Sequence, residues 1–291
     1  AVADQTVSVD TTDDDVAGFT IVELDGSTEV DESGTTDTFT VVLDAQPSDN
    51  VVIAMSSSDI GEATISGTIS FTPANWDTPQ TVTVTGVDEN TIDGDQTSTI
   101  TITIVDSISD SDFSNVADQT VSVVTTDDDA AGFTIEETEG STDVDESGTA
   151  DTFTVVLNAQ PTSDVVLTIT SDDTGEATVN SPLTFTPVNW DTPQTVTVTG
   201  IDEDIVDGTI TSTITIAVDD ANSDDDFDVV VDQTVSVDTL DDDAAGFTIV
   251  ELDGATEVTE AGSTDTFTVV LDAQPTSDVV LTITSDDTGE A

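Results

Sequence analysis

Thr195-Val196-Thr197-Val198-Thr199 alternates a small polar residue with an apolar one at every step. A strand points successive side chains to opposite faces, so this run places valines on one face and threonines on the other. Working outward, residues 130–243 hold six more β-rich runs: Phe133–Glu137, Thr152–Leu157, Val165–Thr170, Leu183–Thr186, Thr211–Ala217 and Thr234–Val237. Clusters of Gly, Pro, Asn, Asp and Ser separate them, and no 3.6-residue periodicity competes. Seven short strands in one domain-sized stretch predict an all-β fold, an immunoglobulin-like antiparallel β-sandwich of about seven strands.

The same text recurs at a spacing of 114 residues. Asp13-Asp14-Asp15 returns as Asp127-Asp128-Asp129 and as Asp241-Asp242-Asp243, Phe19 as Phe133 and Phe247, and Trp76 as Trp190. A gapless period of that length is a tandem array of domains. Residues 16–129 and 130–243 are two complete repeats. Residues 1–15 read as the last strand of a preceding repeat and 244–291 as the N-terminal part of a following one, so the chain is expected to be a segment of a longer protein.

Composition narrows the function. The chain has 64 Asp and Glu, no Lys, Arg or His, and a formal charge of -64. No cation in it can contact phosphate, which excludes nucleic acid and anionic membrane surfaces as partners. No apolar run is long enough to span a membrane. Without His, Cys, Lys or Arg, most nucleophilic and general-base arrangements are absent, and paired carboxylates that recur in every repeat suit structure better than catalysis. An enzyme is not expected. Hydrophobic residues at 35% in strand patterns argue against disorder.

Strand parity locates the acid. If consecutive strands run antiparallel, Glu146, Asp172, Asp173, Glu176, Asp202, Glu203, Asp204, Asp207 and Asp241 to Asp243 gather at the end where the repeat stops. Asp164, Asp191, Asp219, Asp220, Asp224 to Asp226 and Asp228 gather at the other end. Carboxylates from several loops, with no His or Cys, suit Ca²⁺ rather than zinc or copper.

Several motifs within each repeat resemble those of the Calx-β domain, the calcium-binding module of sodium–calcium exchangers and of giant bacterial surface proteins. They are Val144-Asp145-Glu146, Ser171 to Gly175, Leu183 to Pro187, Ile201 to Gly208 and the closing Asp241 to Asp243. The resemblance implies Glu146, Asp173, Asp202, Glu203, Asp207, Asp241, Asp242 and Asp243 as Ca²⁺ ligands, with the Ile205 carbonyl. The matching positions of the first repeat are Glu32, Asp59, Asp88, Glu89, Asp93, Asp127, Asp128 and Asp129, with the Thr91 carbonyl. One departure stands out: Gly208 and Ile210 replace the further acids usual after this loop, though the first repeat has Asp95. Fewer or weaker ions are the expected consequence.

Asp129 is followed by Ala130-Ala131-Gly132 and then Phe133, and Asp243 by Ala244-Ala245-Gly246 and Phe247. Linkers this short are not flexible tethers. The expectation is a calcium-stiffened stalk or filament segment of a secreted or surface-attached microbial adhesin or matrix fibre. Its partners would be calcium ions, neighbouring repeats and like chains in a filament, in an extracellular setting. The alternatives are an acidic module that binds a ligand, mineral or ice through Thr-rich faces, and a passive halophilic spacer. The Trp loops at Trp76 and Trp190 read as anchors packed on the sandwich edge rather than carbohydrate platforms.

Overall fold

The computed structural model describes residues 2–12, 14–286 and 289. Ala1 and Asp13 of the first expected segment, and Asp287, Thr288, Glu290 and Ala291 of the last, lie outside the described residues. The chain divides into two units, Ala1–Ala130 and Ala131–Ala291.

The first unit is built from β1 (Phe19–Glu23), β2 (Thr28–Asp31), β3 (Thr36–Leu43), β4 (Val51–Ser57), β5 (Ala63–Ile65), β6 (Ile69–Phe71), β7 (Gln80–Gly86), β8 (Gln96–Ile104) and β9 (Gln119–Thr126). They form two sheets, β1-β3-β7-β5 and β2-β9-β8-β4-β6. The second unit repeats the pattern with β10 (Phe133–Glu137), β11 (Thr142–Asp145), β12 (Ala150–Leu157), β13 (Val165–Ser171), β14 (Ala177–Val179), β15 (Leu183–Phe185), β16 (Gln194–Gly200), β17 (Ile210–Val218) and β18 (Gln233–Leu240). Its sheets are β10-β12-β16-β14 and β11-β18-β17-β13-β15. The fold is all-β, and among the described residues no helix is long and apolar enough to cross a membrane.

The seven expected strands are present, with ends that differ by up to three residues. Two short strands per repeat are additional, β2 and β5 in the first and β11 and β14 in the second, of four and three residues. One pairing in each repeat also departs from the antiparallel rule: β2 lies parallel to β9, and β11 to β18. The chain leaves β1, crosses to the opposite sheet as β2, and there flanks the last strand.

The alternation works as physical chemistry requires. In β16 the residues Val196 and Val198 are fully buried while their threonine neighbours face outward. Phe39, Phe71, Phe153 and Phe185 on the strands, and Phe227 in the 3-10 turn Asp225–Phe227, are fully buried; burying each such side chain contributes about 1.5–3 kcal/mol. Outward threonines pair across strands, as in Thr36↔Thr85, Thr38↔Thr83 and Thr40↔Thr81. Their β-propensity and cross-strand pairing account for this face without a ligand. Trp76 is half-buried and packs against the core, and its carbonyl accepts from the Leu43 N–H at 3.2 Å.

One end of each repeat is closed by a buried acid whose oxygens are satisfied. Asp110 accepts from the Ser48 N–H (2.6 Å), Ser48 hydroxyl (2.8 Å), Asp49 N–H (2.9 Å) and Asp112 N–H (3.0 Å). These bonds, the Asp112 N–H foremost, hold its pKa down to about 2. Asp224 repeats the clasp with Thr162, Ser163 and Asp226. Burial pushes the Asp224 pKa up, but the accepted hydrogen bonds together outweigh it and the net direction is down.

Strand-forming sequence is not sufficient. Gln5-Thr6-Val7-Ser8-Val9 repeats the start of β18 letter for letter, yet residues 2–12 are exposed and carry no strand. No partner strand lies beside them among the described residues. Further on, β19 (Phe247–Glu251) and β20 (Phe267–Leu271) pair in the register of β10 and β12.

Candidate metal centre

Pairing directions decide which loops converge. In the first unit β2, β4 and β9 share a direction, and β6 and β8 oppose it. In the other sheet β1 and β7 share a direction, against β3 and β5. The ends of β2, β7 and β9 and the start of β5 therefore reach one pole. Glu32 follows β2, Glu62 precedes β5, Glu89 and Asp93 follow β7, and Asp127 and Asp129 follow β9.

Side chains from these loops meet. Oxygens of Glu32, Glu62, Glu89 and Asp93 all lie within 4.8 Å of one another, and so do oxygens of Glu32, Asp127 and Asp129. In the second unit the groups are Glu146, Glu176 and Glu203, and Glu146, Asp241 and Asp243. Glu32 and Glu146 belong to both groups of their repeat, at the centre of the pole.

Both central residues are 0% exposed, and neither carboxylate oxygen of either one has a hydrogen-bond partner. One oxygen each of Glu62, Glu89, Asp129, Glu176, Glu203 and Asp243 is buried and unpartnered as well. Buried polar groups are almost always satisfied. Burying an unpaired carboxylate is costly, and the chain has no cation of its own to pair it. The buried acids at the opposite end, Asp110 and Asp224, by contrast, have their partners.

The core leads into the pole by turning polar. Inward positions along β8 run Ile104, Ile102, Ile100 and then Ser98; along β9 they run Val121, Val123 and then Thr125. The second repeat matches with Ser212 and Thr239. The Ser98, Ser212 and Thr239 hydroxyl oxygens have no partner either.

The backbone frame is tight. Glu32 N–H extends the parallel ladder to the Thr126 carbonyl at 3.2 Å, and Glu146 N–H to Leu240 at 3.1 Å. Gly86 and Gly200 donate to Thr35 and Thr149, each at 3.0 Å. A Cβ on either glycine would overlap the carbonyl of Asp31 or Asp145, the residue just before the central glutamate. The absence of a side chain there lets two strand ends close behind the acid.

Electrostatics follow from burial and crowding. Burial, then the charges of Asp127, Glu62, Glu89 and Asp93, raise the Glu32 pKa to about 7. Burial, then Asp241, raise Glu146 to about 7; the Asp242 N–H, near it but outside hydrogen-bonding geometry, opposes the shift. Glu62, Glu89, Asp129, Glu176, Glu203 and Asp243 are shifted upward too, by burial first and neighbouring carboxylates second.

A pH dependence follows. Between the ordinary glutamate value of 4.5 and about 7 the folded state holds protons on Glu32 and Glu146 that the unfolded chain has released. Stability therefore falls as pH rises through that window. In metal-free buffer the melting temperature is expected to decline from pH 5 to pH 8, and Glu32→Gln together with Glu146→Gln should flatten the decline. Calorimetry across that range checks this, and a rising profile would refute it.

The remaining sequence-derived candidates stand as follows. Asp88, Asp128, Asp202 and Asp242 are exposed at the rim and outside the four groups. Asp59 and Asp173 are exposed as well, and each uses an oxygen to accept from Gly61 (2.9 Å) or Gly175 (3.0 Å) in its own turn. Asp207 lies outside the group that its counterpart Asp93 joins. Asp127 and Asp241 accept from the acidic loop, through the Gly94 N–H at 2.8 Å and the Gly208 N–H at 2.7 Å, while contributing to a group. Glu62 and Glu176 were absent from the ligand set that the resemblance implies, although parity had put Glu176 at this pole. The Asp-x-Gly spacing before each is the signal that could have found them, because an Asp two residues before Gly commonly closes its own turn.

No protein-family profile matches the chain. No curated protein matches it. Among solved structures, the calcium binding domain CBD12 of CALX1.1 aligns with 69% of this chain and 79% of its own, at 16% identity and a TM-score of 0.29. The apo-form Calx CBD1 domain aligns with 38% of this chain and 98% of its own, at 18% identity and a TM-score of 0.29. Domains 4 and 5 of the S-layer protein SbsC align with 78% of this chain and 99% of their own, at 16% identity and a TM-score of 0.32.

Proposed function

We propose that each complete repeat holds Ca²⁺ at its acidic pole, and that the chain is a calcium-stiffened structural segment of an extracellular or cell-surface protein. The observation that carries this reading is the pair Glu32 and Glu146, fully buried with both oxygens unpartnered, in a protein without a single cationic side chain. A bound divalent cation would supply the missing partner. All donors are hard oxygens, which suits Ca²⁺. Glu32, Glu62, Glu89, Asp93, Asp127 and Asp129 would hold it in the first repeat, and Glu146, Glu176, Glu203, Asp241 and Asp243 in the second.

Stiffening follows from chain position. Asp129 precedes β10 by only Ala130-Ala131-Gly132, and Asp243 precedes β19 by Ala244-Ala245-Gly246. A ligand that close to the next strand transmits its order along the backbone. Extracellular modules of this kind bind Ca²⁺ at about 10⁻⁴–10⁻³ M, which matches exposure to millimolar calcium outside cells. The absence of Lys and Arg also removes every trypsin-type cleavage site. Lateral assembly of like chains into a fibre belongs to the same proposal.

Small-angle scattering of the chain in calcium and in chelator tests the stiffening. The expected result is a larger and better-defined maximum dimension with calcium. Identical profiles would sink the stiffening role.

A further inference from the structure

The two poles have the same demand for a cation but not the same supply of ligands. Glu32 and Glu146 are equally buried and equally unpartnered. Around Glu32, however, Glu62, Glu89 and Asp93 all bring an oxygen within 4.8 Å of one another, whereas around Glu146 only Glu176 and Glu203 do so. The member that does not join is Asp207, the counterpart of Asp93 at the 114-residue spacing.

The acidic loops differ locally. In the first repeat the loop reads Asn90-Thr91-Ile92-Asp93-Gly94-Asp95; in the second it reads Asp204-Ile205-Val206-Asp207-Gly208-Thr209. In the second, the N–H groups of Asp207 (3.0 Å) and Gly208 (2.7 Å) both donate to Asp241 Oδ2, engaging the Asp207 backbone with the last strand's end. In the first, Gly94 donates to Asp127 Oδ2 at 2.8 Å, and Asp95 stands beside the same residue, accepting from its N–H at 3.4 Å. Thr209 takes the place of Asp95 and carries no charge, while Asp204 takes the place of Asn90 and adds its charge beside Asp243.

We propose that the repeats are calcium sites of unequal strength, 16–129 the tighter and 130–243 the weaker, with Asp93, which joins its buried glutamate where Asp207 does not, setting the difference. This rests on the calcium reading of both poles. Affinity for Ca²⁺ is tuned over decades by the number of charged ligands and the rigidity of the site. The first repeat adds one carboxylate to the group around its buried glutamate. At intermediate calcium, one repeat would be loaded while the next is not, so the chain responds over a wider concentration range than identical sites would.

Calorimetric titration of the whole chain with CaCl₂ tests this. Two classes of site are expected, about tenfold or more apart in dissociation constant. Glu32→Gln should remove the tighter class and Glu146→Gln the weaker. Asp93→Asn should move the tighter class towards the weaker. Thr209→Asp, at an exposed position, should strengthen the weaker class severalfold; this gain cannot come from misfolding. Loss of the tighter class on Glu146→Gln, or a single class that Thr209→Asp leaves unmoved, overturns the inequality while leaving calcium binding intact. No binding to the unaltered chain overturns both.

Discussion

Several-millimolar Ca²⁺ is expected to raise the melting temperature of this protein by roughly six degrees relative to chelator. Ligand tenfold above its dissociation constant stabilises by about 1.4 kcal/mol per site, and a domain near this size gains about 4 °C per kcal/mol. Two groups of ligands sharing one buried glutamate allow more. The effect is specific in principle, because the groups that need the ion are buried. Sodium chloride at equal ionic strength screens exposed charges but cannot enter the pole as a divalent partner. Magnesium prefers a near-octahedral shell and gives up its waters reluctantly, so it should act weakly. Calorimetry with the three salts is the check. A rise that follows total salt alone would show that the acids are screened rather than ligated, and the halophilic spacer would replace the metal-stiffened segment.

Replacing the central glutamates should reverse its effect with conditions. At pH 8 in chelator, Glu32 and Glu146 are ionised, buried and unpartnered. Glu32→Gln and Glu146→Gln keep the shape and remove the charge, so the metal-free protein is expected to become more stable, by about 1 kcal/mol or more of the 1–3 kcal/mol that a buried unsatisfied group costs. In calcium the same variants should melt below the unaltered chain, because the residue shared by both ligand groups no longer carries charge. Melting curves in chelator and in calcium therefore separate two roles. If the Gln variants are less stable in chelator as well, the glutamates support the fold in some other way, as Asp110 and Asp224 do through their hydrogen bonds.

That contrast between acids is where sequence reading and tertiary structure part. Asp224 and Glu146 look alike as letters, each a carboxylate near a strand end. One accepts four hydrogen bonds from backbone and hydroxyl donors; the other accepts none. Asp173 and Glu176 are separated by only two residues, yet the first closes its own turn on Gly175 while the second enters the pole. Spacing indicates which loops meet. It does not say which carboxylate in a loop is turned inward.

By itself the sequence determined the sandwich class, the 114-residue repeat, the excess of acid over any internal cation, and the end of each domain where the acid gathers. These depend on periodicity, composition and strand parity, which are properties of local order along the chain. Only the tertiary structure decided the parallel pairing of β2 with β9, the short strands β2 and β5, the inclusion of Glu62 and Glu176, and the burial of Glu32 and Glu146. It also decided that Gln233–Leu240 is a strand while the matching residues 5–9 are not. The reason is the same throughout: a ladder partner, a buried charge or a ligand group exists only between segments far apart in the chain, and its energy depends on what the folded neighbours leave unsatisfied.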